Sequence, residues 1–208
     1  MLMNWPERVF IYSPVRLLMQ HRQAGIWTRI AGRRRAEKAL EIGCGLGRGA
    51  KIVLDRLDAA RVFAFDLEEK IVRKATRRRS SPRSGRITFF VSDAQDLPFP
   101  DRSFDAVINY GIIHHVLDWR RCICEIGRVL EPGGLFYFEE IYPPVYANRL
   151  MRHLVRHPEA DRFNGPQFLA ALEANQLQLL PGVRTESRFG IVGVANRTPT
   201  AQDRRPGD

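Results

Sequence analysis

From about residue 38 onward, short apolar runs alternate with stretches in which apolar residues recur every three or four positions. The short runs are Ala39–Ile42, Arg61–Asp66, Arg86–Val91, Phe104–Asn109 and Leu135–Ile141. Several are nearly continuous in apolar character, the pattern of parallel strands covered on both faces. Between them, Gly49–Leu57, Leu67–Arg79 and Asp118–Leu130 carry helical spacing. In the last, Trp119, Ile123, Ile126 and Leu130 share one face, while Arg120, Arg121, Glu125 and Arg128 lie elsewhere. Pro132-Gly133-Gly134 predicts its stop. Further on, Pro166–Ala174 predicts a helix, and Leu177–Leu180 and Ile191–Asn196 predict two last strands paired as a hairpin. At the other end, Ser13-Pro14 predicts a cap and first turn. The helix behind it runs to about Ile30, with Leu18, Trp27 and Ile30 among Arg16, Arg22 and Arg29. Strands alternating with helices predict an α/β domain: a doubly wound, mostly parallel seven-stranded sheet with helices on both faces. The expected organisation is a helical extension or lid over 1–37, the main domain over 38–198 and a flexible tail over 199–208. Within the main domain, 143–165 reads as a substrate lid.

Composition narrows the class. The chain has 208 residues, of which 44% are hydrophobic, enough for one domain with a sizeable core. The longest stretch free of Asp, Glu, Lys and Arg is Ala106–Leu117, 12 residues, too short for a spanning helix. Glu7, Arg8 and Arg16 interrupt the N-terminal apolar stretch, so no signal-peptide core is expected. The cysteines are Cys44, Cys122 and Cys124, without a zinc-type pairing, and a reducing cytoplasmic setting is the simplest expectation. Cys122 and Cys124 share a helix on which one packs and the other faces water. Net charge is +10, with arginine outnumbering lysine 29 to 4. Much of the excess is local: Arg73–Arg86 holds seven basic residues and no acid, and reads as a solvated surface.

The chemistry concentrates where the first strand should meet its helix. Leu40-Glu41-Ile42-Gly43-Cys44-Gly45-Leu46-Gly47-Arg48-Gly49 places glycines for a tight turn and close backbone approach to a ligand, beside the positive end of a helix. Asp66 follows at the end of the second strand, where a carboxylate can accept both hydroxyls of a ribose. Gly45-x-Gly47-x-x-Ala50 also fits a loose dinucleotide pattern, so NAD is weighed. Against it, no lysine follows Lys74 and no Tyr-x-x-x-Lys pair exists. There is no Gly-Lys-Ser/Thr for a P-loop.

These residues resemble the class I S-adenosylmethionine-dependent methyltransferases of small-molecule, type-11-like kind. Glu41-Ile42-Gly43-Cys44-Gly45-x-Gly47 is similar to the first motif, and Phe65-Asp66-Leu67 to the acidic motif ending strand two. Ser92-Asp93-Ala94-Gln95-Asp96-Leu97-Pro98-Phe99 resembles the adenine-binding loop. Phe104-Asp105-Ala106-Val107 with Ile113-His114-His115-Val116 looks like the fourth strand and its exit, and Arg128–Gly134 like the turn before strand five. The resemblance implies a Rossmann-like fold, S-adenosylmethionine as cofactor and no metal. It implies that Gly43 and Gly45 hold the methionine part, that Glu41 serves its ammonium and that Asp66 takes the ribose. Leu67 would pack on the adenine, Asp93 and Ala94 would read its edge, and Asn109 would offer a carbonyl to the methionine amine.

In open α/β sheets ligands sit beyond the carboxyl ends of the strands. That rule puts Tyr110, His114, His115, Glu139, Glu140 and Tyr142 near an acceptor. His114, His115, Glu140 and Tyr142 are the candidates for proton transfer, and strand alternation lets at most one of Glu139 and Glu140 face the site. The expected acceptor is a small, apolar or amphipathic molecule. Three alternatives stay open: an RNA acceptor, suggested by charge; a non-catalytic cofactor-binding partner subunit; and peripheral contact with an anionic membrane through the Arg-bearing N-terminal helix.

Overall fold

The computed structural model describes residues 5–78, 85–146, 161–181, 185–199 and 203. Parts of the Arg73–Arg86 segment, of the expected lid at 143–165 and of the 199–208 tail lie outside the described residues. Two helices, α1 (Trp5–Ile11) and α2 (Pro14–Ala31), precede β1 (Lys38–Ile42), α3 (Arg48–Arg56), β2 (Arg61–Asp66), α4 (Glu69–Arg77) and β3 (Ile87–Val91). Then come β4 (Phe104–Tyr110), a 3₁₀ turn (Ile113–His115), α5 (Trp119–Val129), β5 (Leu130–Ile141) and a single turn α6 (Pro143–Tyr146). The described part ends with α7 (Gly165–Ala174), β6 (Leu177–Leu179), β7 (Thr185–Ser187) and β8 (Gly190–Arg197).

The sheet runs β3-β2-β1-β4-β5-β8-β6, the seven-stranded path expected from the alternation, and β7 adds three residues beside β8. β3, β2, β1, β4 and β5 are parallel, whereas β8 is antiparallel to β5 and to β6. The order turns at β1 and β4: β1 is followed by β2 on one side, and β4 by β5 on the other. A crevice opens there at the strand C-termini.

Both faces are covered, which is why β1 reads as apolar throughout. Leu40 and Ile42 enter the core shared with Trp119, Ile123 and Ile126 of α5 and Phe168 and Leu172 of α7. Ala39 enters the opposite core, with Ala24 and Trp27 of α2 and Ile52, Val53 and Leu54 of α3. α2 is therefore part of the domain body. Trp27 is fully buried against Tyr110 and Tyr137, and its indole N–H donates to the Phe138 carbonyl at 3.1 Å. Cys122 is buried and Cys124 exposed, as the helical spacing predicts.

Three local expectations change. β5 starts at Leu130, five residues before the apolar run predicts, and passes through Pro132-Gly133-Gly134. The register shifts between Phe104 and Ala106, and Gly133 has φ +81°, so the proline and glycines form an irregular strand entry instead of a free turn. Helix α5 stops at Val129. At Asp203 the tail is tied down: its carboxylate meets Arg197 at 3.2 Å and Arg102 at 2.8 Å.

Glu125 of α5 is buried although Arg121 and Arg128 stand one helical turn away on either side of it. Its Oε2 accepts from the Leu97 N–H at 2.8 Å and from Arg128 at 2.7 Å, and Arg128 also donates to the carbonyls of Leu97 and Phe99. This clasp holds the β3–β4 loop against α5. The Arg128 guanidinium keeps the Glu125 carboxyl below the usual carboxylate range. A depressed folded value contributes stability above the unfolded pKa and loses it as pH falls through the folded one. Glu125→Gln is expected to destabilise the domain by about 1.5–3 kcal/mol at neutral pH. In urea unfolding that difference from wild type should shrink below about pH 4; a pH-independent difference would mean the ion pair contributes nothing.

Candidate active site

A cavity of about 700 Å³ occupies the crevice at the strand C-termini. One wall is the β1–α3 turn. Gly43 has φ +69°, and a Cβ there would stand 2.6 Å from the Ile112 side chain, so only glycine fits. Asp66 faces this turn from the end of β2. Its Oδ2 accepts from the Gly45 N–H and its Oδ1 from the Glu68 N–H, both at 3.1 Å, leaving one lone-pair direction on each oxygen for ligand hydroxyls. Leu67 is 47% exposed on the same wall, an apolar surface without a protein partner large enough to cover it. The loop Ser92–Gln95 completes this end, with Asp93 accepting from the Gln95 backbone and side chain. Asp93 therefore caps its own loop as well as bordering the cavity.

The other end is apolar and carries the histidines. Phe10, Ile11, Met19, Ile112, Val116, Ile141 and Val145 line it, together with His114, His115 and Tyr146. His114 is buried, with Nδ1 2.7 Å from Glu140 Oε2 and its ring stacked on Tyr146. The other oxygen of Glu140 accepts from Asn109 Nδ2 at 2.6 Å and the Ile113 N–H at 2.8 Å. Glu140 lies behind the wall and touches the cavity only through His114. Glu139, one pleat away, is in the wall itself.

Of the sequence candidates, Gly43, Gly45, Asp66, Leu67, Asp93, Ala94, His114 and His115 line the cavity. Glu41, Asn109, Glu140 and Tyr142 do not. Glu41 is buried beneath the start of α3, receives the Ala50 N–H and meets the space a Cβ on Gly49 would need; its Oε2 has no partner. The Asn109 side chain locks β4 to β5, donating to the Glu139 carbonyl and Glu140 and accepting from the Ile112 N–H. Tyr142 packs edge-on against Phe163 in the α5–α7 core, because the strand ends at Ile141 and the chain turns inward.

Arg16 is the functional-site residue that sequence reasoning missed. From the first turn of α2 it reaches into the wall, pairs with Glu139 at 3.0 Å and donates to the Tyr110 carbonyl at 2.6 Å. The available signal was spacing: Arg16, Gln23, Ala24 and Trp27 form the buried stripe of α2, at i, i+7, i+8 and i+11. Arg48 fastens the same helix start by donating to the carbonyls of Tyr12 and Ser13. Tyr12 closes over the Gly45–Asp66 end, its hydroxyl buried and without a partner.

A family model for the methyltransferase domain matches residues 40–138. A probable S-adenosylmethionine-dependent methyltransferase of Mycolicibacterium smegmatis is 36% identical over 166 residues, which is 80% of this chain and 59% of that protein. The fatty-acid O-methyltransferase of the same organism is 36% identical over 107 residues, 51% of this chain and 38% of that protein. The YcgJ protein of Bacillus subtilis, a solved structure, superposes with TM-score 0.63 at 27% identity, covering 79% of this chain and 73% of that one. The chain thus spans well under two thirds of the curated relatives' length. Residues 40–138 thus match the methyltransferase domain family, and fold, motifs and comparisons together support a class I S-adenosylmethionine-dependent methyltransferase domain. Among the described residues, no helix is long and apolar enough to cross a membrane, and no cluster of metal-ligating side chains exists.

The residues present fit such a cofactor. Burial pushes the carboxyls of Asp66 and Glu139 above their usual range, and that of Glu41 well above it. A ligand carrying positive charge favours the ionised forms and displaces their protons. Its affinity should therefore rise with pH through the raised carboxyl range. Calorimetry with S-adenosylmethionine is expected to show tighter binding at pH 7 than at pH 5, with proton release; a pH-independent affinity would detach these acids from the ligand.

Proposed function

We propose that the chain transfers a methyl group from S-adenosylmethionine to a hydroxyl or carboxyl oxygen of an apolar, lipid-like acceptor. The observation that carries this reading is the lining of one cavity, which combines two chemically different sets of residues. The glycine turn, Asp66 and the Asp93 loop suit a charged nucleoside, whereas Phe10, Met19, Val116, Ile141 and Val145 suit a hydrocarbon. That a relative is named a fatty-acid O-methyltransferase supports the acceptor class.

When bound, the cofactor supplies an electrophilic methyl carbon on a sulfonium. Gly43 and Gly45 would hold its methionine part, Asp66 its ribose hydroxyls, Leu67 its adenine face, and Asp93 with the Ala94 N–H its adenine edge. Tyr12 would exclude water from the glycine turn and Asp66. Glu140, fixed by Asn109 and the Ile113 N–H, accepts from His114 Nδ1. That hydrogen bond leaves Nε2 of the neutral imidazole as a proton acceptor, so His114 would take the proton of an acceptor hydroxyl. Glu140 acts through His114 as a positioning residue.

Charge-assisted hydrogen bonds are worth about 1.5–3 kcal/mol each. Asp66→Ala should weaken S-adenosylmethionine binding about ten- to a hundredfold with the fold intact, and NAD should not bind. Tight NAD binding with no response to the methyl donor would overturn the reading.

With a lipid extract and labelled cofactor, His114→Ala is expected to lower kcat by about 10²-fold or more while cofactor affinity stays within twofold. Glu140→Gln should lower kcat less and alter the pH profile. Unchanged turnover in His114→Ala would remove it as a base and favour an acceptor that needs none.

A further inference from the structure

Helix α2 buries two polar residues and exposes two apolar ones near its start. Its buried stripe contains Arg16 and Gln23, and its outward face begins with Val15 and Leu18, 60% and 63% exposed. Their spacing continues along the same face through Arg22 and Arg29, also exposed. The interior accounts for the buried Arg16, which is needed at Glu139 and Tyr110. Nothing in the described interior accounts for Val15 and Leu18.

These two residues do not stand alone. Phe10, 50% exposed, and Leu117, 64% exposed, belong to the cavity wall, and Met19, next to Leu18, does too. An exposed apolar patch thus runs from the cavity mouth onto α2. Away from the cavity mouth, along α2 and the segment after it, the charge has one sign: from Arg8 to Ala36 the chain has seven arginines and no Asp or Glu. Two of the seven are occupied internally, Arg8 with Glu68 and Arg16 with Glu139. Arg22, Arg29, Arg33 and Arg34 are exposed.

We infer that the outward face of α2, with Phe10 and Leu117 at the cavity mouth, docks on an anionic lipid surface from which the acceptor enters the cavity. An aliphatic tip followed by an arginine row is the composition of an interfacial helix: the tip enters the acyl boundary and the guanidinia meet anionic headgroups. A water-filled route would leave an apolar acceptor to cross solvent. The inference rests on the lipid-like acceptor of the proposed function, but it is read without turnover.

The test is sedimentation of the 208-residue chain with vesicles of phosphatidylcholine alone and of phosphatidylcholine with about 30% phosphatidylglycerol, whose surface attracts basic segments. Wild type is expected to partition at least tenfold better onto the anionic vesicles, with binding lost as salt rises. Val15→Glu with Leu18→Glu should abolish most of that partition, and Arg22→Gln with Arg29→Gln should flatten the salt dependence. Both double variants should bind S-adenosylmethionine as wild type does, which shows that they fold. Equal binding to both vesicle types, or unchanged binding in both variants, would overturn the proposal. So would concentration-dependent dimerisation abolished by Val15→Glu with Leu18→Glu in the absence of vesicle binding, which would give the face to a second copy. Loss of cofactor binding in wild type, with vesicle partition intact, would sink the methyl-transfer reading and leave the docking face standing.

Discussion

The withdrawal of carboxylates from water along the C-terminal edge of the sheet is the constraint on which the site depends. Glu41, Asp66, Glu139 and Glu140 come from β1, β2 and β5, and all are buried. Burying an ionised carboxylate is costly unless donors surround it. Each therefore recruits its own: Asp66 takes two backbone N–H groups, Glu140 an amide, a backbone N–H and an imidazole, and Glu139 a guanidinium. Glu41 keeps one oxygen without a partner. The donors fix the β1–α3 turn, the β4 exit and the start of α2. The same desolvation that would weaken the empty site makes it receptive to a cation, because a bound positive charge relieves what the protein donors leave uncompensated.

Arg16 makes the N-terminal helices part of this arrangement. A guanidinium can donate to several acceptors in one plane, so a single residue joins Glu139 on β5 to the Tyr110 carbonyl at the end of β4. Trp27, three turns on, anchors the other half of α2 on β5. With both ends fixed, α2 has no freedom to turn Val15 and Leu18 inward. The anchor sets which face points outward; it does not account for that face being apolar at Val15 and Leu18.

The parts of the structure that were legible in the sequence are those specified locally. The mostly parallel, seven-stranded sheet followed from alternating strands and helices, and the wall at Gly43, Gly45, Asp66 and Leu67 followed from a turn and an acid at fixed places on consecutive strands. What escaped depends on distant partners. Arg16 and Glu139 are 123 positions apart, and nothing near either predicts the other. Glu125 looked like one more solvated charge of an arginine-rich helix until the β3–β4 loop supplied the Leu97 N–H. Tyr142 follows the carboxyl end of β5, which by the strand-end rule puts it near the acceptor, but the chain turns inward there and its ring packs against Phe163. Asn109 and Glu140 were identified as site residues, yet their side chains serve the site from behind, a distinction that requires knowing which oxygen faces which donor.

The distribution of charge bears on the acceptor more than its total does. Arg33, Arg34 and Arg35 lie just before β1, Arg56 ends α3 and Arg86 lies just before β3. Together they border a depression of about 440 Å³ at the N-terminal edge of the sheet. Asp66 and Glu139 are at the opposite edge. A five-residue strand spans about 16 Å, already longer than the Debye length of about 8 Å at physiological salt. A nucleic acid held by that cluster would be screened from the methyl-transfer crevice and would not border it. At the crevice itself the exposed large apolar side chains are Phe10, Leu67 and Leu117, Asp93 is exposed beside the same cavity, and the buried charges are Asp66 and Glu139 with Arg16. Acids beside the reacting centre repel phosphates, whereas a hydrocarbon chain brings no charge for them to oppose. The basic cluster before β1 thus lies away from the crevice, whose lining is mostly apolar with acids among it.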